Sequence, residues 1–199
     1  MPKIVDHEKR RQYLGELAFQ LITENGYDAA TFRALADAAG CTTGMIVHYF
    51  PTRDDILLGA LSHAEGITRD RMDYCLNHYE GIEALRQCLY AVMPADRKLG
   101  RHWRLWISFW GRATNNDAVN KRQSAAYAEA RSRWSEFIVK AQKHGDISLK
   151  IQPREEAKSV MALLDGLGVQ SMVGKGALTK SQQKLMIDTY LDGMQVRKH

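Results

Sequence analysis

Residues 31–49 constrain the fold more than any other part of the chain, because they contain two short helical segments with almost no room between them. Thr31 stands where a hydroxyl can cap the first segment, and Thr42 and Thr43 offer a second cap soon after that segment ends. Gly40 permits the sharp reversal between the two. The pattern therefore predicts two short helices joined by a tight turn.

A longer amphipathic helix precedes this pair. Between residues 8 and 25 apolar side chains recur at spacings of three and four, and Asn25-Gly26 is a common helix end. The third segment, Thr43 to about Tyr49, is too short to be stable alone, so it must pack against its two predecessors. The residues predicted to join the three helices are Leu17, Leu21, Phe32, Leu35 and Ile46. A long helix followed by two short ones with a glycine turn is the helix-turn-helix pattern.

The rest of the chain is also predicted to be helical. A helix begins at about residue 54, and five further segments follow it, with no alternating pattern typical of a strand. Their predicted breaks are at Tyr79-Glu80-Gly81, Pro94, residues 114–116, Gly145-Asp146, Pro153 and residues 174–176. The predicted fold is all-α with about nine helices. Its predicted domains are residues 1–53 and 54–199, with residues 54–78 as the connecting helix.

Composition limits the possible functions. The chain has 199 residues and a formal net charge of +5, but residues 1–60 contain six Lys and Arg side chains against eight Asp and Glu. Bulk charge is therefore no evidence of binding to a nucleic acid, and a few well-placed groups would have to make such contacts.

No apolar run approaches the roughly 20 residues that cross a bilayer, so we expect a cytoplasmic protein without a membrane partner. The scattered Cys and His residues predict no cofactor and no metal site.

Residues 31–57, TFRALADAAGCTTGMIVHYFPTRDDIL, resemble the DNA-binding signature of the tetracycline-repressor (TetR) family. The match includes the threonine cap, the Ala-Gly turn, a glycine in the third helix, the His-Tyr-Phe unit and a basic residue before a long fourth helix. Many members have an aromatic residue where this chain has Val47, and a lysine where it has Arg53. The resemblance implies a DNA-binding transcriptional regulator.

The resemblance and the residue chemistry together give a set of expected DNA contacts. The expected contacts to base edges in the major groove are Thr42, Thr43, Gly44, Val47 and His48. The expected contacts to phosphates are Thr31, Tyr49 and Arg53, with help from Lys9 or Arg10. Few of these side chains offer paired hydrogen bonds to a base, so DNA shape is expected to add to specificity. Taken singly, each residue also has a structural interpretation, such as a cap for Thr42 or a core position for Tyr49.

The later part of the chain is similar to the C-terminal domain of the choline-responsive, BetI-like branch of the family. The similarity is carried by RLWISFWGRA, by a long helix through residues 127–137 and by EEAKSVMALLDGLGVQ. It implies that the last two long helices pair with their copies in a dimer. The residues expected at this interface are Val160, Leu164, Leu167, Ser171, Ile187, Tyr190, Leu191 and Met194.

Trp103, Trp106 and Trp110 follow one face of a single predicted helix. They fit either a bulky core or a subunit interface. Alternatively, they form the wall of an effector pocket, such as an aromatic box for a cation. Asp165 is a second candidate contact for a ligand, although a surface or interface carboxylate fits it as well.

The predicted function is that of a repressor. A homodimer would bind a palindromic operator in double-stranded DNA and leave it when a small-molecule effector binds, with the helix after residue 54 as the connecting lever. An enzyme is a poor alternative, because the sequence has no phosphate loop, no metal-binding spacing and no nucleophile elbow. A helical carrier or adaptor without DNA binding is the remaining alternative.

Overall fold

Helices dominate the computed structural model, which describes residues 6–114, 117–173 and 177–195. Among these residues it contains nine α-helices, a 3-10 turn at Tyr27–Ala29 and no named strand. The helices are α1 His7–Asn25, α2 Phe32–Ala39, α3 Thr43–Tyr49, α4 Arg53–His78, α5 Gly81–Val92, α6 Arg97–Ala113, α7 Asp117–His144, α8 Pro153–Met172 and α9 Lys180–Met194. The predicted all-α class is confirmed.

Local chemistry fixes the two short helices. The Thr31 hydroxyl accepts a hydrogen bond from the amide of Ala34 at 3.1 Å, and the Thr42 hydroxyl accepts one from the amide of Met45 at 3.3 Å. Gly40 is in the left-handed conformation with φ 60° and ψ 40°, which a glycine adopts without the steric cost of a side chain. Helix α3 therefore has the predicted bounds.

The chain forms two compact units. The first comprises the described part of Met1–Ile67 and Arg104–Arg112, and the second comprises Thr68–Trp103 and the described part of Ala113–His199. Helix α4 contributes its first turns to one unit and its last turns to the other. The predicted domain division at residue 53 stays a prediction.

The core of the first unit joins α1, α2, α3 and the first half of α4. Its buried apolar side chains include Leu14, Ala18, Phe19, Ile22, Leu35, Ile46, Phe50, Ile56, Leu57 and Leu61. Leu35 and Ile46 are fully buried as predicted, whereas Leu17, Leu21 and Phe32 are half-buried. Because Ile46 comes from the middle of α3, its burial attaches this seven-residue helix to the longer ones.

Two glycines let α1 and α4 approach closely. A Cβ added to Gly15 would lie 2.7 Å from the carbonyl oxygen of Gly59, and one added to Gly59 would lie 2.7 Å from Cζ of Phe50. Both distances are shorter than real Cβ contacts allow, so neither position has room for a larger residue without movement. The Phe50 ring, fully buried at the end of α3, is thereby held against α4.

The second unit is built around α7, which packs on both α5 and α8, while α9 packs on α5. Its core is lined by Leu85, Cys88, Leu89, Trp134, Phe137, Ile138, Ala157, Val160, Leu167, Ile187 and Leu191. Asp146 caps α5 by accepting a hydrogen bond from the amide of Ile82 at 2.8 Å, and Arg86 on α5 pairs with Asp188 on α9. No helix in the described ranges is long and apolar enough to span a membrane.

Candidate DNA interface and effector region

Helix α3 presents one continuous exposed face to solvent. All five residues predicted to read bases, Thr42, Thr43, Gly44, Val47 and His48, are exposed, and Val47 keeps 46% of its surface. The opposite side of the helix carries the buried Ile46. The structure thus brings the five residues together on a rigid helix, and their contact with DNA stays a prediction.

Packing within the chain does not explain Gly44. A Cβ added at this position would meet only the Thr42 hydroxyl oxygen at 3.8 Å, an ordinary contact, and its backbone does not need a positive φ. A side chain there would instead fill space outside the protein, in front of the exposed face. The missing side chain therefore favours close approach by a partner such as the edge of a base pair.

The residues predicted to contact phosphates differ in how they are held. Thr31 is exposed and caps α2, while Tyr49 is buried except for 8% of its surface. The Arg53 guanidinium stacks over the Tyr27 ring, 5.2 Å from its centroid, and lies 3.6 Å from the Asp28 carboxylate. Arg53 is therefore oriented by the 3-10 turn, but it keeps enough exposed surface to meet a phosphate.

Two side chains on α1 that the sequence analysis did not select surround Tyr49. Nδ1 of His7 and the Tyr49 hydroxyl form a hydrogen bond of 3.0 Å, and Arg11 donates to the Tyr49 carbonyl oxygen at 2.8 Å. The Arg11 guanidinium also stacks on the Phe50 ring at 5.1 Å. The available signal was the spacing of four between His7 and Arg11, which puts both on one face of α1. The start of α1 thus belongs to the candidate interface.

The three tryptophans do not share one compact unit. Trp103 is buried in the second unit, where its indole nitrogen donates to the carbonyl oxygen of Val92 at 2.8 Å. Its ring lies directly on the backbone of α8, because a Cβ added to Gly168 would be 2.0 Å from the ring. Trp106 and Trp110 are half-buried and belong to the first unit. An effector pocket lined by all three stays a prediction.

An open depression of about 420 Å³ lies on the second unit, and none of the three tryptophans lines it. Its lining residues are Ser132, Ser135, Glu136, Val139, Lys140, Lys143 and Arg154.

A polar cluster joins α7 to α8 inside the second unit. The Tyr127 hydroxyl donates to Oδ2 of Asp165 at 3.0 Å, and Gln123, one turn before Tyr127, lies within reach of the same hydroxyl. Burial raises the pKa of Asp165 to about 6, and the hydrogen bond from Tyr127 only partly opposes this shift. Asp165 is thus a half-buried carboxyl group, and its contact with a ligand stays a prediction.

Most of the predicted dimer residues on α8 and α9 face the core of their own chain. Val160, Leu164, Leu167, Ile187, Leu191 and Met194 are buried within the single chain, and Tyr190 donates a hydrogen bond to Glu156. Ser171 is half-buried. The exposed apolar side chains at these helices are instead Val169, Val173, Leu185 and Met186. The buried six hold the two helices in their own chain, and their contact with a second copy stays a prediction.

Family comparisons agree with the two halves of the fold. The family described as "Bacterial regulatory proteins, tetR family" matches residues 16–60. The family described as "BetI-type transcriptional repressor, C-terminal" matches residues 81–196, which is more than half of the chain.

Individual relatives of the chain are also named as transcriptional regulators. The chain is 26% identical to the HTH-type transcriptional regulator PksA of Bacillus subtilis, over 98% of this chain and 94% of the relative. It is 27% identical to the HTH-type transcriptional regulator BetI of Burkholderia thailandensis, over 96% of each chain.

Solved structures have the same fold. A transcriptional regulator from Saccharomonospora viridis in complex with choline superimposes with a TM-score of 0.81 at 25% identity, covering 96% of this chain and all of the other. A TetR-family regulator from Rhodococcus sp. has a TM-score of 0.82 at 18% identity, covering 95% of this chain and all of the other. The chain therefore belongs to the TetR family of transcriptional regulators, with a C-terminal domain of the BetI repressor type.

Proposed function

We propose that the protein represses transcription in the cytoplasm by binding a palindromic operator as a homodimer, and that a small-molecule effector releases it. The observation that carries the proposal is the exposed face of α3, on which Thr43, Val47 and His48 stand opposite the buried Ile46. A helix fixed in this way enters a major groove without losing conformational freedom on binding.

The chemistry of this face suggests what it reads. The Val47 side chain meets a thymine methyl group, while Thr42, Thr43 and His48 supply hydrogen bonds to base edges. Thr31, Tyr49 and Arg53 hold the backbone on either side, and His7 and Arg11 keep Tyr49 in place. These contacts fix the register, and sequence-dependent DNA shape contributes the rest of the specificity.

Dimerisation follows from the exposed apolar surface of the last two helices. Val169 and Val173 belong to the α8 end, and Leu185 and Met186 belong to α9. Apolar side chains that stay exposed in one chain are stabilised when a second copy covers them. Two α3 helices related by a twofold axis then reach successive major grooves if they are about 34–36 Å apart.

The effector is proposed to bind in the second unit. The Saccharomonospora viridis regulator was solved with choline, which shows that a small cation binds to a protein of this fold. Helix α4 runs without a break from Arg53 to His78, so a shift at its C-terminal end is carried to the helices that hold α3. Trp103 on α6 is proposed to form part of the wall of the effector site.

Selection of duplexes from a random-sequence pool tests the proposal. The purified protein should enrich a palindrome, and Val47→Ala should relax the preference at one symmetric pair of positions by about tenfold. Gln20→Ala, an exposed position in the second half of α1, is the matched control and should keep the preference. Failure to enrich any sequence would leave the protein as a helical carrier or adaptor rather than a repressor.

A further inference from the structure

The polar cluster between α7 and α8 has hydrogen-bond acceptors without matching donors. Gln123 is 8% exposed and lies within reach of the Tyr127 hydroxyl, which in turn donates to Asp165. The Gln123 Oε1 atom is buried and has no hydrogen-bond partner among the described residues. A buried amide oxygen is rarely left in this state, so this atom is open to a donor from a ligand.

The Asp165 carboxylate also has few partners for its charge. It accepts one hydrogen bond, from Tyr127, and forms no ion pair with any residue in the described ranges. A carboxylate in a half-buried position normally pairs with a cation. Arg131 influences Tyr127 through its charge, but it is not paired with Asp165. The cluster therefore combines an uncompensated negative charge with an unused neutral acceptor.

An aromatic surface lies one helical turn away. The Trp103 ring rests on the backbone of α8 at Gly168, three residues after Asp165. Trp103 is fixed there by its hydrogen bond to Val92. A cation held by Asp165 would therefore have a rigid apolar wall near it, which excludes water and strengthens the electrostatic attraction.

We propose that Gln123, Tyr127 and Asp165 form the polar subsite of the effector, and that it selects a protonated amine or amidine with N–H donors over a quaternary ammonium ion. This inference rests on the proposed function only in calling the ligand an effector. A quaternary ammonium ion has positive charge but no N–H group, so it leaves the Gln123 oxygen without a donor. An amidinium or primary ammonium group donates to both Asp165 and Gln123.

A methylation series of one amine separates charge from hydrogen bonding. Isothermal titration of the full-length protein would use benzamidine, benzylamine, N,N-dimethylbenzylamine and benzyltrimethylammonium. We expect the first two to bind most tightly, and affinity to fall with each N–H lost, reaching at least about tenfold between benzylamine and the quaternary ion. Equal or tighter binding of the quaternary ion, or no binding by benzamidine and benzylamine, would overturn the proposal.

Substitutions test whether these cations bind at the cluster of Gln123, Tyr127 and Asp165. Asp165→Asn should weaken benzamidine binding by about 10- to 100-fold, and Gln123→Leu by a smaller factor of about 3 to 10. Glu129→Gln is the matched control, because this carboxylate on α7 is exposed and pairs with Arg69. It should leave the affinity unchanged, and an effect equal to that of Asp165→Asn would show a general response to charge and contradict the subsite.

A gel-shift assay on a selected duplex keeps this inference separate from the proposed function. Benzamidine should release the unmodified protein from the duplex but not the Asp165→Asn variant, which should still bind DNA. A protein that binds N–H cations but selects no duplex would retain the subsite and refute the repressor. A protein that selects a duplex but binds none of the cations would refute the subsite alone.

Discussion

Two charged residues, Asp165 and Arg53, have opposite effects because their surroundings differ. Asp165 is half-buried without a cationic partner among the described residues, whereas Arg53 is exposed and held by the Tyr27 ring. The first charge lowers the stability of the free protein, while the second is placed to meet a polyanion at little conformational cost.

Asp165→Asn should stabilise the free protein at high pH. Burial raises the pKa of Asp165 to about 6 from 3.8, so between these values the folded protein binds more protons than the unfolded chain. The free energy of unfolding therefore falls as the pH rises through this window, and the full penalty is present above pH 6. After allowance for solvent screening, the variant should gain roughly 1–2 kcal/mol at pH 8 and little at pH 4. Urea unfolding at both pH values measures this, and a gain that does not depend on pH would contradict it.

Arg53→Ala should weaken binding to all DNA sequences alike, because a phosphate contact carries no sequence information. The slope of log affinity against log salt should fall by about one. Arg53→Lys keeps the charge and should retain most of this slope. An unchanged slope in the alanine variant, measured by fluorescence anisotropy over a salt titration, would remove Arg53 from the interface.

Residue roles were predictable from the sequence where the cause is local. The caps at Thr31 and Thr42 act on amides three residues away, so the sequence was enough to find them. The contact of His7 with Tyr49 joins positions 42 residues apart, and only the folded core brings them together. The hydrogen bond from Tyr127 to Asp165, 38 residues apart, was missed for the same reason.

At the scale of elements, the helices were predicted more fully than their packing. Helix α3 has the expected bounds, because threonine, glycine and proline signals enclose it on both sides. The crossing of α1 and α4 at Gly15 and Gly59 was not foreseen, because a glycine inside a helix lowers its propensity in a sequence analysis. Its benefit is a close backbone approach, which is visible only when both helices are present.

Gly59→Ala should destabilise the protein by about 1–3 kcal/mol despite the better helix propensity of alanine, because the new methyl group would overlap the Phe50 ring. Gly66→Ala on the same helix is the matched control. Nothing lies within 4 Å of its Cβ position, so this change should stabilise by about 0.5–1 kcal/mol. Chemical denaturation compares the two, and a stabilised Gly59→Ala protein would disprove the close crossing.

At the scale of the whole molecule, the family resemblance suggested which two helices pair in a dimer, and the structure distinguishes the faces of these helices. Both α8 and α9 have apolar residues on more than one side, so periodicity could not tell which side faces the chain's own core. The burial of Leu164 and Leu191 assigns that side, and the exposure of Val169 and Leu185 marks the side proposed for a second copy.

Leu185→Glu should raise the dimer dissociation constant by at least about tenfold, because it puts a charge in the apolar centre of the proposed interface. Leu149→Glu is the matched control, since Leu149 is 80% exposed but lies outside both helices. Sedimentation equilibrium should show a monomeric Leu185→Glu protein and a dimeric control. If both variants stay dimeric, the interface lies elsewhere.

Hydroxyl-radical footprinting of the dimer on its selected duplex tests most directly whether two copies of α3 read DNA together. We predict two symmetric protected half-sites on one face of the duplex, with centres about 34–36 Å apart or a whole number of helical turns. Leu185→Glu should lose this paired protection at a concentration at which the unmodified protein retains it. A single asymmetric tract, or protection that spreads evenly over unrelated sequences, would contradict the account.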